Sequence, residues 1–205
     1  MSTSQTIDRR RTPTTCENLK VDPISTIFAP VLGLPSWNVQ TGDLWYVTME
    51  FGDPELVIGN VREFPLHLEG AATRRMRRPI RLDGQWGLNI ATDNFALLLD
   101  NVVIAGSSSS RDHLDKALYR VLNGQALTGV RFNSSTGSTD FTFDLGATFR
   151  TLRSQEPDNE HEDQWLLSEP TGDWFVLNDA GQYSQHSGTT KPDEVVWQSL
   201  PSRRP

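Results

Sequence analysis

Cysteine is almost missing from this chain of 205 residues, Cys16 being the only one. That excludes an internal disulfide framework and a thiolate metal cage. Long apolar runs are missing too. None approaches the roughly 18 residues a membrane-spanning helix needs. The opening stretch MSTSQTIDRRRTPTT carries arginine but no apolar segment behind it, so no secretory signal is expected. Catalytic signatures are equally scarce: there is no G-x-S-x-G elbow, no P-loop and no dinucleotide-type G-x-G-x-x-G. The four histidines, His67, His113, His161 and His186, show no paired ligand spacing, so neither a metal nor a cofactor is expected. With 19 basic against 26 acidic side chains the net charge is −7. A single arginine cluster on such a chain lacks the broad basic footprint of a nucleic-acid binder.

What is present reads as strands. LWYVTMEF at 44–51, FALLLDNVVIAG at 95–106 and FTFDLGATFRTL at 141–152 are rich in aromatic and β-branched residues. They are bounded by Gly, Asn, Asp and Pro, and the first is expected to end at Gly52, Asp53 and Pro54. One segment has a helical period. Between Ser110 and Asn123, Leu114, Ala117, Leu118, Val121 and Leu122 make one apolar stripe, with serine at its start and Gly124 at its end. The expected fold is mainly β: two tandem related units packed as a sandwich or barrel-like body, with that amphipathic helix between them. Residues 1–27, rich in Ser, Thr and Arg, read as a mobile tail. Residues 28–124 form the first unit with its helix, 125–200 the second, and 201–205 a short C-terminal tail.

The tandem reading rests on self-comparison. QWGLNIATDNFALL (85–98) and QWLLSEPTGDWFVL (164–177) align without a gap, with Gln, Trp, Leu, Thr and Leu identical. Each is expected to be a β-hairpin, with Trp86 and Trp165 at equivalent depths. The Ser-rich stretch and helix after the first copy would correspond to SGTTKPDEVVWQSL (187–200) after the second. Just before each Gln-Trp pair the copies carry opposite charge. The first has Arg74, Arg75, Arg77, Arg78 and Arg81; the second has Glu156, Asp158, Glu160, Glu162 and Asp163. Read as loops, these ten residues are the candidate binding surface, the arginines suited to carboxylate or phosphate and able to pair with the acidic run of the same or another molecule, or with an external partner.

A compact acidic β body with charged loops and no catalytic motif points to a non-enzymatic, cytoplasmic protein-interaction module. A bacterial inhibitor or immunity-type protein acting through charge and shape complementarity has that profile. A small-ligand-binding β-barrel or sandwich with a Trp- and Phe-lined pocket is the alternative, and a hydrolase assembled from dispersed residues the third reading.

Overall fold

The computed structural model describes residues 22–42, 46–68, 71–153 and 163–201. The chain enters through α1 (Pro23–Phe28) and then forms β1 (Ser36–Thr41), β2 (Val47–Ile58), β3 (Arg62–Leu68), β4 (Ala71–Arg77), β5 (Ile80–Ile90), β6 (Phe95–Leu99) and β7 (Val102–Gly106). After α2 (Arg111–Val121) come β8 (Leu127–Asn133), β9 (Ser138–Phe143), β10 (Ala147–Thr151), β11 (Asp163–Ser168), β12 (Asp173–Asn178), β13 (Gln182–Ser187) and β14 (Gln198–Ser199). Seven strands make one antiparallel sheet in the order β1-β2-β5-β11-β12-β13-β14; five make a second in the order β7-β6-β10-β9-β8. The mainly β sandwich read from the sequence is the observed fold.

Register explains the layering. In the large sheet Val47, Ile90, Trp165, Leu177 and Tyr183 lie in one cross-strand row, and Met49, Leu88, Leu167 and Phe175 in the next inward-facing one. The small sheet answers with Leu97, Phe149 and Phe141 in register. Alternation does the rest, because successive strand side chains point to opposite faces. Nearly all of these residues are buried in a single core. Phe28 and Phe141 meet the Trp165 ring edge-on at 5.5 and 5.7 Å, while Phe175 stacks on it at 5.8 Å. Such pairs add roughly 0.5–1.5 kcal/mol each beyond their buried area.

The helix α2 has the boundaries its sequence asked for. Ser110 caps it by accepting from the His113 N–H at 3.4 Å, and Leu114, Leu118 and Leu122 are buried. Gly124 ends it at φ +93°, a backbone region that costs glycine little. The β6–β7 connection is a two-residue turn, Asp100 and Asn101 at φ 51° and 66°, the left-handed geometry that matches strand twist.

Three expectations need correction. First, residues 22–27 are not part of a mobile tail. Asp22 Oδ1 caps α1 by accepting from the Ile24 N–H at 3.1 Å, Pro23 takes the first helical position, and Ile24, Ile27 and Phe28 enter the core. Six residues are too few for periodicity to stand out, which is why sequence reading missed the helix. Residues 1–21 lie outside the described part of the chain. Second, β2 does not stop at Gly52–Pro54. A register shift between Phe51 and Pro54 marks a bulge, after which the strand runs on to Ile58.

Third, the two Gln-Trp segments are not equivalent. Gln164–Leu177 is a hairpin, β11 pairing with β12. Gln85–Leu98 is instead an arch, because β5 belongs to the large sheet and β6 to the small one. Trp165 is fully buried whereas Trp86 is only partly so. After the second copy the chain makes a three-residue 3-10 turn, Pro192–Glu194, rather than a counterpart of α2. The two sequence halves do not each build a sheet. They interleave, β5 pairing with β11 at the centre of one sheet and β6 with β10 in the other.

Candidate functional site

The outward face of the large sheet is polar across β1, β2 and β5. Gln40, Thr48, Asn89, Leu166, Val176 and Ser184 occupy one cross-strand row. Glu50, Gly87, Ser168, Trp174 and His186 occupy the next. Together with Asn38, Gln85 and the Arg81–Asp83 stretch this face encloses a groove of about 730 Å³. Two features of the sequence shape it. The register of β1 shifts between Trp37 and Gln40, with Asn38 at φ 51°, a value asparagine tolerates better than most residues. Gly87 makes room for the Ser168 and Glu50 side chains: a Cβ there would lie 2.7 Å from Ser168 Oγ and 3.2 Å from a Glu50 carboxylate oxygen.

Glu50 sits at the centre of the groove. Burial raises its pKa above the ordinary carboxylate range, and Asp83 pushes the same way. The Gly84 N–H, which donates to Glu50 Oε2 at 3.0 Å, and Arg81 oppose the rise. The folded state therefore holds this proton to higher pH than the unfolded chain does. The stability contribution is fullest below the ordinary value of 4.5 and is lost as pH rises through the folded pKa. Glu50→Gln keeps the acceptor for Gly84 and removes the titration. It is expected to flatten the stability–pH curve just above pH 4.5, as read by thermal denaturation across a pH series; an unchanged slope would count against a desolvated Glu50.

A second feature adjoins the groove. Beyond Gly84 and Pro54, β2 and β5 continue as a two-stranded ribbon, Leu56 opposite Leu82 and Ile58 opposite Ile80. These four share one side of the ribbon, and their exposures are 58%, 53%, 58% and 64% respectively. The ladder carries on through the Gly59 N–H bond to the Pro79 carbonyl (2.9 Å) into the β3–β4 pair.

The candidate arginines fall on this arm, and here the loop reading is corrected. Arg74, Arg75 and Arg77 are in β4, opposite Pro65, Phe64 and Arg62, and Arg81 is in β5. Only Arg78 and Pro79 interrupt the strands. Proline is tolerated there because its carbonyl, not its missing N–H, is what the ladder uses. Arg81 bonds both carboxylate oxygens of Asp83 through Nε at 2.8 and 2.7 Å. Of the acidic candidates, Glu156, Asp158, Glu160 and Glu162 lie outside the described residues. Asp163 opens β11, its pKa raised by desolvation against the opposing pull of His186.

Asp163, Ser184 and His186 do come close, Ser184 Oγ standing 3.1 Å from His186 Nδ1. The hydrolase reading gains nothing from this, because Ser184 is 1% exposed and no substrate carbonyl can reach its hydroxyl. The space between the sheets is filled by Phe28, Phe141, Phe149, Trp165 and Phe175. Trp86, Phe175 and Tyr183 instead border a surface opening of about 340 Å³ beside α1. Among the described residues no helix is long and apolar enough to cross a membrane.

Fold and site together define an antiparallel two-sheet β-sandwich with a polar outer groove and a two-stranded arm. No protein-family model matches the chain, and no curated protein or solved structure shows significant similarity to it.

The groove was missed in the sequence because its members are ordinary polar residues scattered over five strands. Only the alternation in 47–50 and 86–90 hinted at a polar face.

Proposed function

We propose that this protein is a non-enzymatic interaction module of the inhibitor or immunity kind, acting in the cytoplasm and contacting its partner through the β2–β5 arm. The observation that carries this reading is the exposed aliphatic patch of Leu56, Ile58, Ile80 and Leu82. Contiguous apolar surface on the order of a few hundred Å² marks interaction sites in soluble proteins. A two-stranded ribbon is marginal in water without something to pack against, so a partner surface would stabilise it. Charge supplies the partner's chemistry. Residues 54–84 hold six arginines against four acids, in a chain whose net charge is −7. A protein surface with an apolar centre and an acidic rim is the complement, the charges steering encounter and the aliphatics supplying affinity.

Two variants test this. Leu56→Ser with Ile80→Ser should abolish partner capture while changing folding stability by about 1 kcal/mol or less, the side chains being exposed. Replacing Arg74, Arg75, Arg77 and Arg78 with Gln should weaken capture and reduce its salt dependence. Sedimentation of the wild type at low and high salt separates partners: oligomers that salt dissolves would assign the arm to a second copy of the chain. Capture indifferent to both variants would remove the arm from the account.

A further inference from the structure

We infer that the outer groove of the large sheet is a binding site for a neutral polyhydroxylated ligand, a short oligosaccharide, adjoining the arm but distinct from it in chemistry. The groups available in the groove decide the ligand class. Of its charged side chains, all but Glu55 are already engaged. Asp83 holds Arg81, Glu169 accepts from Gln185 Nε2 at 2.8 Å, and Glu50 accepts from Gly84 while burial disfavours its charge. The Ser168 hydroxyl is engaged too, accepting from the Gly87 N–H and donating to the Gly87 carbonyl, both at 3.1 Å. Apart from Glu55, on the arm's part of β2, what remains is neutral. Among the described residues the side chains of Asn38, Gln40, Thr48, Gln85 and Asn89 line the groove with no hydrogen bond inside the protein.

Amides and hydroxyls both donate and accept, which is what a sugar hydroxyl demands of its partner. Their spacing is set by the sheet. Gln40, Thr48 and Asn89 are in direct register on adjacent strands, so they form a line with a pitch of about 4.8 Å. Farther along, on β12, the Trp174 ring borders the same groove and is 37% exposed. From β1 to β12 is four strand steps, or roughly 19 Å. That is room for several sugar rings, with an aromatic face at one end for the apolar side of a ring to lie on.

The test is calorimetric and NMR titration of the whole protein with neutral hexasaccharides of α-1,4-glucose, β-1,4-glucose and β-1,4-N-acetylglucosamine, with hexa-arginine as the cationic comparison. At least one saccharide should bind with a Kd between about 10 μM and 1 mM. Its amide shifts should be confined to β1, β2, β5, β11 and β12, and the affinity should hardly vary with salt. Trp174→Ala should weaken binding about tenfold or more. Asn89→Leu, which keeps the size and removes the polar groups, should weaken it about two- to tenfold. The shift map of the wild type stands even if a variant folds poorly. No saccharide binding at about 10 mM, a hundredfold above a 0.1 mM Kd, overturns the proposal. So do shifts elsewhere, or a preference for hexa-arginine that salt abolishes; the last would assign the groove to a basic segment.

Discussion

Trp165→Ala is expected to cost about 3–5 kcal/mol of folding stability, the range for deleting a large aromatic from a closed core. The site cannot collapse easily. The indole is 0% exposed, touches Phe28, Phe141 and Phe175, and donates through Nε1 to Thr139 Oγ1 at 3.0 Å. These partners come from α1, from the small sheet and from the neighbouring strand of the large one, so the cavity would open among all three. A loss of that size is a large part of the 5–15 kcal/mol total typical of a domain. Urea unfolding followed by circular dichroism measures it, and a cost under about 1 kcal/mol would mean that Trp165 is not central to the core. The matching change at Trp86, only partly buried, should cost distinctly less.

Gln164 and Gln85 make the second test, because the sequence aligns them and the structure does not. Gln164 is 1% exposed and holds the sheets together by hydrogen bonds. Its Oε1 accepts from the hydroxyls of Thr139 (3.2 Å) and Thr151 (3.0 Å), and its Nε2 donates to the Gly137 carbonyl. Its own carbonyl accepts from the N–H groups of Ala91 and Thr92, which form the arch between β5 and β6. Gln164→Leu leaves two buried hydroxyls and a carbonyl short of a partner and should cost about 2–4 kcal/mol. Gln85, exposed on the groove side, should tolerate the same change within about 0.5 kcal/mol. Equal costs at the two positions would restore the equivalence that the sheets deny.

The repeat shows where local reading stops. Gln-Trp followed by an apolar run says that a strand, a short connection and another strand come next, and both segments obey. Whether the second strand returns beside the first or crosses to the other sheet is decided elsewhere. In the first copy, β11 already occupies the edge of β5 that a hairpin return would use, pairing Trp165 with Ile90 and Leu167 with Leu88. No feature within 85–98 records that competition. The arginine cluster failed for a related reason. Charge density and a proline suggested a loop, yet the ladder from β2 through Gly59 and Pro79 holds the arginine strand extended.

The local sequence did determine much. Alternating and aromatic runs dictated strands, because only a pleated surface buries every second residue, and a 3.6-residue apolar stripe between a serine cap and a glycine stop dictated α2. Tertiary structure alone decided which strands became neighbours, and with that the position of the core's rings, the extended arm and the outer groove. Pairing and register are contests between distant segments for the same backbone donors and acceptors. Their outcome depends on the apolar area each arrangement buries over the whole chain, and no single window of the sequence carries that quantity.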